Sequence, residues 1–69
     1  MPDLSIKIKK GTESSWISMN NIPGVKRVRM YSSEFTLGID GVEEDDVNYV
    51  VKELMKMENV QEVQIYWGD

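Results

Sequence analysis

The chain has no cysteine and no histidine. Disulfides, thiolate nucleophiles, zinc-finger and iron–sulfur ligand sets and imidazole acid–base chemistry are therefore excluded together. A metal ion could be held only by carboxylates and carbonyls, which suits calcium or magnesium, and no metal site or cofactor is expected. Long hydrophobic runs are also missing. Crossing a bilayer takes about 18 or more apolar residues, and the opening MPDLSIKIKK has no apolar core of signal-peptide length. The expectation is a soluble, cytoplasmic protein without a membrane partner. Phenylalanine occurs once and proline twice, so pattern rather than aromatic mass must define the core.

What remains is a chain of 69 residues, 41% of them apolar. That is one domain, residues 1–69, with one small core. The net charge of −4 hides a polarity. Residues 1–31 hold six Lys or Arg against two acids, a balance of +4; residues 32–69 hold two against ten, a balance of −8. Such a split bears on partners and association rates rather than on fold.

The stretch that organises the chain is IPGVKRVRMYSSEFTLGID, residues 22–40. It reads as two strands joined at Ser32-Ser33 and entered through a Pro23-Gly24 break. In the first strand Val28 and Met30 face one side, Arg27, Arg29 and Tyr31 the other. In the second, Phe35, Leu37 and Ile39 point inward. Ahead of this hairpin, Leu4, Ile6 and Ile8 alternate with Ser5, Lys7 and Lys9, the period of a half-buried strand. Thr12 and Glu13 open a helix of about two turns with Trp16, Ile17 and Met19 as its apolar stripe. Beyond the hairpin, Asp40 and Glu43 have the spacing of a capping box. Val47, Val50, Val51 and Leu54 then follow helical periodicity. Asn59 stops that helix, and Val60–Trp67 forms a last strand with Val63, Ile65 and Trp67 inward and Glu62, Gln64 and Tyr66 outward.

The order is strand, helix, strand, strand, helix, strand. An internal echo supports it, because Val25–Tyr31 (VKRVRMY) and Val60–Tyr66 (VQEVQIY) align without gaps. Two similar strand–helix–strand halves with right-handed crossovers predict a ferredoxin-like α+β sandwich. Its antiparallel sheet has order 4-1-3-2, with both helices on one face.

Chemistry is sparse. The acidic run Glu43–Asp46 is a cation site or docking surface in one reading, and a helix start matched to the dipole in the other. Its spacing does not match a calcium loop. Ser14 and Ser15 have no evident base to activate them. The loop after the first strand, Lys10–Ser15, lacks the arginine of acylphosphatases and the Cys-x-x-Cys of copper chaperones. An enzyme is not expected. The open sheet face is the candidate site, with Lys7, Lys9, Arg27, Arg29, Tyr31 and Tyr66 as partner-binding residues. Tyrosine and arginine are enriched in interfaces, which favours another protein as partner. Single-stranded nucleic acid is the alternative, through base stacking on the tyrosines, although the net negative charge opposes it. A small-ligand regulatory domain, bound near Gly11 or at a dimer interface, is a third reading. Strands two and four are edges with free backbone groups, so a homodimer by sheet extension is available, with Lys26 and Arg27 guarding strand two.

Residues 19–55 resemble the N-terminal domain of Nfu-type iron–sulfur scaffold proteins. The resemblance rests on Ile22, Gly24, Val25, Val28, Phe35, Thr36, Leu37, Asp46 and Tyr49. The Pro/Asn-rich opening strands of that family have no counterpart here, nor does its Cys-x-x-Cys cluster domain, so no cluster ligation is implied. What the resemblance implies is a small accessory domain that docks on other proteins.

Overall fold

The computed structural model describes residues 1–30 and 35–67. The Ser32-Ser33 turn expected from the sequence lies outside the described residues, as does Tyr31. Four strands and two helices follow the expected order: β1 (Asp3–Ile8), α1 (Trp16–Asn20), β2 (Val28–Met30), β3 (Thr36–Ile39), α2 (Val47–Met55) and β4 (Val60–Tyr66). Short 3-10 turns, Glu13–Ser15 and Glu44–Asp46, lead into the two helices. The sheet is antiparallel with order β2-β3-β1-β4, the arrangement that the pattern predicts.

Alternation along the strands builds the core. Leu4, Ile6 and Ile8 of β1 and Leu37 and Ile39 of β3 are at most 1% exposed. Val47, Val50 and Leu54 of α2 cover them, with Met19 of α1 and Val42. Burial of such side chains contributes about 1.5–3 kcal/mol each. Among the described residues no polar or charged side chain is buried, and no helix is long and apolar enough to cross a membrane.

Four details depart from the sequence pattern. Trp67, Met30 and Ile65, expected inward, are 61%, 58% and 37% exposed; Met30 and Ile65 lie on the two edge strands, and Trp67 follows the end of β4. In α1 only Met19 is buried, while Trp16 and Ile17 stay largely exposed; a helix this short turns one side chain fully into the core. Asp40 and Glu43 do not form a capping box. Gly41 has φ +66° and Glu43 is extended, so the first helical turn starts only after Glu43, and Asp40 is held elsewhere. Thr12 makes no side-chain cap. Its hydroxyl donates to the Lys9 carbonyl at 2.6 Å and accepts from Asn59 Nδ2 at 3.2 Å. Asn59 also donates to Ser15 Oγ at 3.0 Å, so it ties the start of β4 to the entry of α1.

Two links hold the ends of the layers together. Ile22-Pro23-Gly24-Val25 is a tight turn closed by Val25 N–H donating to the Ile22 carbonyl at 3.0 Å. Pro then Gly suits a turn that needs positive φ at its third position, and Gly24 has φ +97°. At the N-terminus, the Pro2 carbonyl accepts from Val42 N–H at 3.0 Å and the Asp3 carboxylate from Gly41 N–H at 2.9 Å. These bonds carry the β1–β3 seam past the end of β3.

Candidate partner-binding face

The helices cover one face of the sheet, and the register sets what the other presents. Arg29 on β2 lies opposite Gly38 on β3, Gly38 opposite Ser5 on β1, and Ser5 opposite Gln64 on β4. The next row holds Thr36, Lys7 and Glu62, and at the far end Asp3 faces Tyr66. With strands about 4.8 Å apart, Arg29 and Gln64 stand roughly 14 Å apart across the face. Gly38 and Ser5 are the smallest residues of the two central strands, and both lie below the surface, Gly38 buried and Ser5 half-buried, between the longer side chains of the two edges.

On the β2 edge, Arg29 grips Asp40 at two points, Nε to Oδ2 and Nη2 to Oδ1, both at 3.1 Å. Arg29 pairs directly with Gly38, which makes Asp40 its diagonal neighbour, within reach of a long side chain. On the β4 edge, the Tyr66 hydroxyl donates to Gln64 Oε1 at 2.7 Å and Gln64 Nε2 donates to Glu62 Oε1 at 2.8 Å. This string lines up three side chains along one strand. Lys7 stands between Thr36 and Glu62 in the centre.

The sequence-derived set is only partly gathered. Lys7, Arg29 and Tyr66 lie within the sheet on the open face. Lys9 follows the end of β1, and its N–H donates to the Asn59 carbonyl at 2.9 Å, so it sits at the margin. Arg27 precedes β2, and its carbonyl accepts from Asp40 N–H at 3.4 Å. Tyr31 lies outside the described residues. Asp40, Ser5, Gly38, Gln64 and Glu62 are not among the six partner-binding candidates. Asp40 has the spacing of a helix cap. Alternation along β1 and β4 already turns Ser5, Glu62 and Gln64 outward, and the register sets which of them stand opposite one another.

Charge elsewhere is dispersed. Lys26 Nζ lies 3.3 Å from Glu43 Oε1, both well exposed. On the wet side of α2, a hydrogen bond from Lys56 to Glu53 Oε2 at 2.8 Å raises the Lys56 pKa above its usual 10.5, helped by the Glu53 charge. Among the described residues no cluster of three acidic side chains is placed to hold a metal ion, and this includes Glu43–Asp46.

Compared with family models, curated proteins and solved structures, the chain matches none.

Proposed function

We propose that the protein is a non-catalytic protein-interaction module whose open sheet face is the contact surface. One observation carries this reading. The face has its smallest residues at the centre, a buried Gly38 and a half-buried Ser5, and is bordered by side chains bonded to one another, Arg29–Asp40 on one side and Tyr66–Gln64–Glu62 on the other. Side chains fixed before binding lose less rotamer freedom on association. The face is also close to neutral: Lys7 and Arg29 are offset by Asp3, Asp40 and Glu62. A phosphate backbone calls for a surplus of cations, whereas a protein surface fits mixed charge with Tyr and Arg. The resemblance to accessory domains of scaffold proteins leads to the same reading.

The test is affinity capture from lysate of the native host, comparing wild type with a Lys7→Glu/Tyr66→Ala variant. A specific protein kept by wild type and by an Ile17→Asp control, but lost by the open-face variant, supports the proposal. Equal capture by all three, or none by wild type, overturns it.

A further inference from the structure

The ladder fixes the direction of every backbone group on β1. Ile8 N–H donates to the Phe35 carbonyl at 2.8 Å, so the even-numbered residues of β1 turn toward β3. The odd-numbered residues Asp3, Ser5 and Lys7 then turn toward β4, where they face Tyr66, Gln64 and Glu62. It follows that Val63 and Ile65 aim their N–H and C=O groups off the edge of the sheet.

The two edges differ in how they meet solvent. The described part of β2, Val28–Met30, follows Lys26 and Arg27 and carries Arg29, a cationic edge that discourages pairing. β4 is seven residues long, with no Lys, Arg or Pro and one charge, Glu62. On its helix side Ile65 is 37% exposed, although its β1 neighbour Leu4 is fully buried. Trp67 follows at 61%.

We propose that β4 pairs antiparallel with β4 of a second copy about a twofold axis at Gln64, giving one eight-stranded sheet. The outward groups of Val63 in each copy bond those of Ile65 in the other. Val63 and Ile65 then meet across the seam twice on the helix side, and Trp67 lies over Gln61. On the open side, Gln64 meets Gln64 and Glu62 meets Tyr66, so no like charges oppose each other. An axis at Glu62 would set two carboxylates face to face. One at Val63 would leave Ile65 opposite Gln61, beside the register shift between Lys7 and Ile8. Both copies turn their helices to the same face, so Ile65 of each lies between the two α2 helices.

Three measurements test this. Light scattering or sedimentation across concentration should reach about twice the 8.0 kDa of one chain. Oxidising a Gln64→Cys variant should give a covalent dimer. A non-hydrogen-bonded pair holds its Cβ atoms about 4.5–5.5 Å apart, near disulfide reach, and no native cysteine competes. A Gln64→Lys variant, with unchanged circular dichroism, should dissociate several-fold more readily at low salt. A Met30→Cys variant, on β2, should stay uncrosslinked. A single-chain mass at every concentration overturns the proposal. So does crosslinking through Met30→Cys and not through Gln64→Cys.

Discussion

Arg29 and Asp40 meet diagonally across the β2–β3 ladder through two nitrogen–oxygen contacts of 3.1 Å. Their side chains are 46% and 30% exposed, so solvent screens much of the attraction. A double-mutant cycle with Arg29→Ala and Asp40→Ala, read by urea unfolding, should give a coupling of roughly 0.5–1 kcal/mol. Additive single effects would mean that the two-point contact contributes nothing.

Gly24 and Gly11 both have positive φ, +97° and +83°, but in different surroundings. A Cβ at Gly11 meets nothing within 4 Å, so Gly11→Ala should cost about 1–2 kcal/mol, from the backbone alone. At Gly24 the same atom would lie 3.1 Å from Asp46 Cβ and 3.3 Å from Val50 Cγ2. Overpacking adds to the backbone term there, and Gly24→Ala should lose about 2 kcal/mol or more. Urea midpoints of the two variants check the ranking, which fails if Gly11→Ala is the worse.

Asn59 reaches Thr12 and Ser15, residues far away in the sequence, from a partly buried site. Removing both bonds with Asn59→Ala should cost about 1–2 kcal/mol. Asn59→Asp, which keeps the size but loses the donating amide, should cost about as much. Thermal unfolding of the pair separates hydrogen bonding from packing: a stable Asp variant would show that the amide donor is unimportant.

Ile6 is fully buried at the centre of the sheet, whereas Ile17 is 54% exposed on α1. Ile6→Ala should therefore cost about 2–5 kcal/mol, and Ile17→Ala no more than about 0.5 kcal/mol. Similar losses at both sites would show that α1 packs its other face.

The Lys56–Glu53 bond gives a sign for pH dependence. The pKa of Lys56 is raised in the folded protein, so its contribution is fully present below the unfolded value of 10.5 and is lost as pH rises through the folded one. The melting-temperature difference between wild type and Lys56→Met should stay level through neutral pH and fade only in strong alkali. A difference that fades near neutrality would contradict this.

Period and punctuation made the fold legible. Leu4, Ile6 and Ile8 declared β1 by alternation, Val47, Val50 and Leu54 declared α2 by helical spacing, and Pro23-Gly24 marked a real turn. Local patterns could not say which strands are edges, and so Trp67, Ile65 and Met30 read as interior. Nor could they choose between two uses of one carboxylate. Asp40 has the spacing of a cap, but Arg29 reaches it across the ladder. The open face was half legible. Lys7, Arg29 and Tyr66 were visible as charges and rings and Ser5 and Gln64 as outward positions, whereas the rows that oppose Arg29 to Gly38 and Ser5 to Gln64 come only from strand pairing.

The central position of β1 has a consequence for folding. Its partners on β4 lie more than fifty residues along the chain, from Val60 opposite Ile8 to Tyr66 opposite Asp3. Such distant pairing is slow, because loop-closure entropy is lost before the contacts form. Any partly folded state without β4 leaves the backbone groups of Asp3, Ser5 and Lys7 unpaired along one flank of β1. Docking of β4 is the step that closes that flank.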